Sequence, residues 1–241
     1  PLKPSLTKKG VNLVFVRDQT GGIYYGQRGY RDGKNGQEAF DTEVYAIAEV
    51  ERIADLAFTV AMGRRKKVTS IDKADILESG RLWRATVTKI AQNYPEVQLN
   101  HMPVSSCAAQ LAKDPSQFDV ILCPAMFGDI LSAIAGTLTG SHALIPSSSL
   151  GATKLGLYEP IHSAAHDIAG KDTANPLGAI LAAAMMLSSS FNLPQETAAV
   201  EKAINTVLSK GYRTADLAES GNKIVSCSKM GELIATEILN G

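Results

Sequence analysis

Two periodicities run along this chain. Between residues 46 and 62 the apolar positions Ile47, Val50, Ile53, Ala54, Ala57, Val60 and Ala61 recur at helical spacing, which places them on one face of an amphipathic helix. Gly63 and the basic run Arg64 to Lys67 end it. Cations at a helix C-terminus complement its dipole, so this run reads as a solvated terminus. A second helical pattern covers Glu78 to Tyr94 and holds the only tryptophan, Trp83. A short helix is expected over Ser105 to Lys113. The second periodicity is that of short β-branched runs: Val11 to Val16, Lys67 to Ile71, Val97 to Met102 and Phe118 to Cys123. Strands that alternate with helices predict parallel βαβ units and an α/β fold.

The ends and middle differ in texture. Pro1 to Gly10 reads as a Pro- and Lys-rich loop. Arg28 to Glu38 carries the turn signals Asp32-Gly33 and Asn35-Gly36, as a projecting hairpin arm near 26–40 would. After Gly140 the chain turns Ser-rich, and Ser141 to Gly151 reads as a loop. Leu155 to Pro160 suits a strand, and Ile161 to Pro176 is a polar loop opening a helix. Further helices are expected over the apolar stretch Leu177 to Leu187, over Glu196 to Lys210 and over Lys229 to Leu239. The organisation implied is a domain over 1–140 and a second over 141–241.

Charge then narrows the partners. Lys and Arg together number 24, as do Asp and Glu, and both signs are mixed along the chain. Nothing favours nucleic acid or an anionic membrane. No apolar run reaches the roughly 18 residues that span a bilayer, and no signal-peptide pattern opens the sequence. Cys107, Cys123 and Cys227 lack metal-ligand spacing and read as reduced, buried residues. A cytoplasmic location, or an organelle matrix after processing, is expected.

Candidate chemistry gathers around Phe118 to Gly136. A buried strand there leads through a short connection into a helix carrying Asp129. Open α/β sheets place ligands just beyond the carboxyl ends of their strands. Arg17 ends the first strand, and the stretch Thr20 to Gly26 follows with Gly21, Gly22, Tyr24 and Tyr25. If extended, that stretch would send the two tyrosines to opposite faces and aim one of them inward with Arg17. The glycine pair allows a tight turn or a close backbone approach to a ligand. The loop 161–176 leads into a helix N-terminus, which can hold a phosphate or adenosine group; with no G-x-G-x-x-G pattern in it, an ordinary connector stands as the alternative.

Seven stretches in order carry a wider likeness: TGGIYYG, FDTEVY, KKVTSIDKADILESGRLWR, QFDVILCPAMFGDILS, GLYEPIH, DIAGKDTANP and GYRTADL. Together they resemble the isocitrate/isopropylmalate dehydrogenase family, NAD-dependent β-decarboxylating enzymes acting on hydroxy acids. The Gly21 to Tyr24 form leans toward its isopropylmalate branch, which serves leucine biosynthesis. The resemblance implies two α/β domains around a mostly parallel sheet: a substrate and dimerisation domain over 1–140, and over 141–241 the C-terminal part of the family's first, cofactor-binding domain, which is incomplete in this chain. It implies a small 2-hydroxy acid as substrate, NAD as cofactor, Mg²⁺ or Mn²⁺, and a homodimer or a hetero-oligomer with a homologous subunit. Arg17 would bind the substrate carboxylate, Lys73 would be general base and Tyr24 would return a proton to carbon. Asp129 would be a metal ligand. His162, Asp167, Ile168 and Asn175 would bind the cofactor's adenosine part. Lys73 and the position of Ser105 would reach into the partner's site.

The departures are part of the reading. The family's other metal-ligand positions hold Ser105 and Ala133 here, which implies a weakened or absent metal. Its Asp-Asn pair before MFGD is Pro124-Ala125, the Asn of its K-A-N motif is Asp75, and its loop H-G-S-A-P-D runs from His162 to Asp167 with Ser163, Ala164, Ala165 and His166 between. The resemblance also places Pro1 after a family segment that carries a first cofactor-domain strand, a glycine-containing loop and two further substrate arginines. An alternative therefore stands beside the enzyme: a catalytically impaired or inactive homologue, acting as a partner or regulatory subunit or being a decayed copy.

Overall fold

A computed structural model describes residues 10–151 and 153–241; the loop expected over Pro1 to Gly10 lies, but for Gly10, outside the described residues. The chain divides into two compact units, one ending at Ala135 and the next beginning at Gly136.

The first unit opens with β1 (Val14–Arg17) and a hairpin of β2 (Arg28–Gly33) and β3 (Gly36–Asp41). Then α1 (Ile47–Met62), β4 (Lys67–Asp72), α2 (Glu78–Ala91), β5 (Gln98–Pro103), α3 (Val104–Lys113), β6 (Val120–Cys123) and α4 (Ala125–Gly136) follow. Four strands make one sheet in the order β1-β6-β4-β5. Every pairing is parallel, with Val14 opposite Val120, Val68 opposite Val120 and Val68 opposite Leu99. This is the α/β architecture expected from the alternating periods. Its consequence is positional: Arg17, Asp72, Pro103 and Cys123 all end strands on one edge.

The core explains the helix periods. Val50, Ala54, Ala57, Phe58 and Ala61 of α1 are wholly buried. They pack with Val16, Val68, Val120 and Leu122 of the sheet, and Trp83 and Val87 come from α2. Three alanines on that face let the helix lie close on the sheet, as native packing density requires. Trp83 is buried, and its Nε1 donates to Ser70 Oγ at 3.1 Å, so its polar edge has a partner. At the start of α1 no side chain of Ala46 can cap; Glu49 instead reaches back and accepts from the Ala46 amide at 2.8 Å.

Tyr45 joins several of these parts. Its ring meets Trp83 edge-on at 5.3 Å, and its hydroxyl accepts from the Ala125 amide at 2.9 Å. Burial pushes its phenol well above the usual range. A Cβ at Gly21 would lie 2.9 Å from that ring, and one at Gly22 only 2.5 Å from its hydroxyl. The glycine pair therefore serves close packing on Tyr45. The basic run after α1 also departs from expectation. Arg64 Nε and the Arg65 amide bond the carboxylate of Asp119, which is 1% exposed, at 2.8 and 2.9 Å. They stitch the end of α1 to the entry of β6, because an unpaired buried carboxylate would cost several kcal/mol, roughly 3–5.

The second unit holds β7 (Pro146–Leu150), β8 (Gly156–Pro160), α5 (Leu177–Ser189), α6 (Pro194–Ser209), β9 (Tyr212–Arg213), β10 (Lys223–Ile224) and α7 (Cys227–Asn240). Its core is Leu177, Ala203, Ile204, Val207, Met230 and Ile234. The Ser-rich segment expected as a loop forms β7 instead, antiparallel to β8 with Ser147 opposite Glu159 and Ser149 opposite Leu157. Pairing with a neighbour overrides the weak strand propensity of serine. Cys107 and Cys123 are buried and Cys227 is half-buried, all as free thiols; burial pushes the Cys107 thiol up to about 12. Among the described residues no helix is long and apolar enough to cross a membrane.

Candidate active site

Arg17 closes β1 directly beside Cys123 of β6. The chain leaves β6 through Pro124 and enters α4, which carries Asp129. Arg17 Nη1 donates to Asp129 Oδ1 at 2.5 Å, and the Tyr24 hydroxyl donates to Oδ2 at 3.3 Å. Gly128 shapes this contact. A Cβ there would lie 2.6 and 2.7 Å from Cγ and Cδ of Arg17 and 2.7 Å from the Cys123 sulfur. The arginine stem thus lies across bare helix backbone.

Tyr24 is aimed by a turn, not by the extended strand that the alternation of Tyr24 and Tyr25 suggests. Buried Asp18 organises it. Its Oδ2 accepts from the Thr20 and Gly21 amides at 3.1 and 2.8 Å, and its Oδ1 from the Thr20 hydroxyl at 3.0 Å and Arg52 at 3.3 Å. Such side-chain-to-backbone bonds are how aspartate sets a turn. Arg28 Nη2 donates to the Tyr24 carbonyl, and Tyr25 points to solvent, 64% exposed. Partial burial, then the charge of Asp129 and the hydrogen bond to it, hold the Tyr24 phenol above its ordinary value. It stays a proton donor at neutral pH.

Lys73 follows β4. The preceding Asp72 is fully buried, takes both Nε and Nη2 of Arg84 at 2.8 Å, and accepts from the Ala74 amide at 3.1 Å. That carboxylate fixes the turn from which Lys73 projects. Lys73 Nζ donates to Asp75 Oδ2 at 2.7 Å, and this bond holds the Asp75 carboxyl below its usual range. Lys73 is therefore paired with a carboxylate of its own loop. Ser105, in the first turn of α3, and Ala133, one turn beyond Asp129, are both exposed.

The donor set decides the metal question. Both oxygens of Asp129 already have donors, Ala133 offers no oxygen side chain, and Ser105 offers a neutral hydroxyl. Among the described residues no three His, Cys, Asp or Glu side chains gather as a metal-binding group. Hard divalent cations want several oxygen ligands, carboxylates foremost. These residues do not fit one.

In the second unit, His162 and Asp167 are exposed and Ile168 is half-buried, with Asp167 in the short 3₁₀ segment His166–Ile168. Asn175 differs, since it is 8% exposed and fully engaged. Its Oδ1 accepts from the Leu177 amide at 2.9 Å, capping α5, and its Nδ2 donates to Asp216 at 3.0 Å. Burial alone would raise the Asp216 carboxyl. Donors from Ser141, Thr214 and Asn175 outweigh it and leave that group below its usual range. Asp172 ties the same loop to α7, accepting from the Ser228 amide at 2.8 Å and its hydroxyl at 2.6 Å. The exposed acceptor of Asp167, the imidazole of His162 and the apolar Ile168 fit the polar and flat parts of an adenosine. Asp18, Gly128, Arg84 and Asp216 are site-forming residues without a sequence signal of their own; Arg84, Gly128 and Asp216 sit inside recognised motifs, which is the nearest clue.

Fold and site define an α/β protein with an ionic cluster at the carboxyl edge of a parallel sheet and a polar loop opening a helix in a second unit. The family model described as isocitrate/isopropylmalate dehydrogenase matches residues 1–234, and the chain belongs to that family. It is 53% identical over 239 residues to a 3-isopropylmalate dehydrogenase of Clostridium acetobutylicum, covering 99% of this chain and 67% of the relative. Against a 3-isopropylmalate dehydrogenase of Geobacillus kaustophilus the identity is 53% over 241 residues, covering 100% and 65%. The solved isocitrate dehydrogenase from Methylococcus capsulatus superposes with a TM-score of 0.87 at 34% identity, covering 95% of this chain and 67% of that one. The chain thus spans about two thirds of the length of the curated relatives it matches.

Proposed function

We propose that this chain supplies the acid-binding part and the adenosine-holding loop of an NAD-dependent dehydrogenase. The reaction is oxidation and decarboxylation of a malate-type 2-hydroxy acid, with 3-isopropylmalate the first candidate. The meeting of Arg17, Tyr24 and Asp129 on one edge, in a chain of this family, carries the reading. NAD, when bound, accepts the hydride from the substrate carbinol carbon. Asp167 would hold its ribose hydroxyls, with His162 and Ile168 beside the adenine. Asn175 keeps the loop's end fixed to α5.

The chain's own residues divide the remaining work. Arg17 binds a substrate carboxylate through its planar guanidinium. Lys73 takes the hydroxyl proton, for which it must first give up the proton it shares with Asp75. Tyr24 delivers its phenolic proton to the carbon that loses CO₂. Lys73 and Ser105 serve a partner's site in this reading, so the working unit is a homodimer. The exposed β2–β3 arm offers the free strand edges such a contact uses. The first unit is then the substrate and dimerisation domain, and the second the C-terminal part of the cofactor domain.

The test is NADH formation from NAD and 3-isopropylmalate by the full chain, with and without Mn²⁺. Turnover that disappears in Tyr24→Phe and Lys73→Met supports the reading; no NADH under any condition defeats it. The internal pairing of both site cations, Arg17 with Asp129 and Lys73 with Asp75, favours one second reading, a subunit that binds the acid without turning it over. Acid binding without NADH formation would select it.

A further inference from the structure

The cluster at the carboxyl edge has an unusual charge economy. Asp129 is the carboxylate of the cluster, and its counter-charge is a guanidinium 2.5 Å away. The pair is built, not casual. Arg17 is fixed at its base by β1 pairing with β6, and its stem passes over Gly128, where any side chain would displace it. The second carboxylate oxygen takes the Tyr24 hydroxyl. One turn further along α4 stands Ala133, where an acid would face the same side of the helix as Asp129.

From these contacts we infer that Arg17 occupies the place of a divalent cation as the counter-charge of Asp129, so that the cleft takes a malate-type dianion without any metal. The inference rests on the acid-binding reading above and deepens it. An incoming dianion exchanges its carboxylate for that of Asp129 at the guanidinium, one charge-assisted pair for another. Asp129 is 57% exposed and can turn to water when displaced.

Two measurements on the full chain decide it. In the first, Mn²⁺ is titrated by electron paramagnetic resonance. The wild-type chain should show no stoichiometric site tighter than about 1 mM, which is weak binding for a dedicated cation site. Ala133→Asp should create one, and adding Arg17→Met should tighten it at least about fivefold, since the guanidinium no longer competes. A micromolar Mn²⁺ site in wild type that Asp129→Asn abolishes overturns the inference. So does an Ala133→Asp site indifferent to Arg17→Met. In the second, D-malate is titrated calorimetrically with EDTA and then with Mn²⁺. Equal affinity, lost about tenfold or more in Arg17→Met, supports the inference, and binding that requires Mn²⁺ overturns it. If malate binds under neither condition, the acid-binding reading fails, and the Mn²⁺ titration alone judges the place of Arg17.

Discussion

Gly128→Ala tests the site's geometry through two opposed effects. Alanine is favoured over glycine inside a helix by about 1 kcal/mol. Against this, the new methyl would stand 2.6 Å from Arg17 Cγ and 2.7 Å from the Cys123 sulfur, whereas unbonded heavy atoms settle at about 3.5–4.0 Å. Something must move by about 1 Å. Unrelieved overpacking of this kind costs about 1–3 kcal/mol. The sulfur is fully buried and cannot retreat, but the Arg17 side chain is 29% exposed and can swing outward. The arginine yields, but the methyl–sulfur contact remains, so after the helix gain global stability should fall by up to about 2 kcal/mol. The cost falls on function. With its guanidinium swung out of the cleft, Arg17 no longer meets the incoming carboxylate, and D-malate affinity should drop about tenfold, equivalent to about 1.4 kcal/mol. Urea unfolding reads the first quantity and calorimetry the second. Unchanged affinity at unchanged stability would refute the placement of the guanidinium by α4. A stability loss beyond about 3 kcal/mol would refute it differently, by showing that the core took the clash.

Two further outcomes are expected. Burial pushes His101 below its ordinary value of 6.5, with the charge of Asp72 opposing and that of Arg84 adding. The unfolded chain therefore binds that proton more readily, so stability is complete above about pH 6.5 and falls as pH drops through the lower folded value. Urea unfolding between about pH 5 and 7 should show this slope, and His101→Gln should flatten it; an identical slope in the variant defeats the assignment. If Lys73 serves the partner's site, mixing inactive Lys73→Met and Tyr24→Phe chains should restore about a quarter of wild-type turnover, because about half the dimers are mixed and each has one intact site. No recovery after subunit exchange would place Lys73 in its own subunit's site.

Much of the fold follows from local pattern. The α1 period marks Val50, Ala54, Ala57 and Ala61, which α1 buries, but it also takes in Ile47, which is exposed, and passes over buried Phe58; the boundary expected at 46–62 differs from the observed helix by a single residue. Strand starts are less legible: β1 begins at Val14 although apolar character begins at Val11, because Val11 is exposed and only the later residues meet β6. Strand ends place Arg17 beside the entry to α4, but Tyr24 reaches Asp129 through the Asp18 turn, which the expected extended stretch does not foresee. The pairing of Lys73 with Asp75 is not foreseeable either, since it depends on side-chain rotamers. The task of Arg64 and Arg65 is hidden for another reason, as their partner Asp119 lies far along the chain and a charge run reveals nothing about distant acids. The strand at Pro146–Leu150 exists only through its neighbour, which no property of its serines announces.

Tyr45 imposes a condition on how this protein can change over generations. Its ring denies Cβ atoms at positions 21 and 22, while its hydroxyl satisfies the opening amide of the helix that presents Asp129. Divergence at the glycine pair is thus blocked until residue 45 shrinks, and shrinking it strips that helix of a bond. Any lineage escaping this lock must alter three places almost at once, so these positions should drift together or not at all.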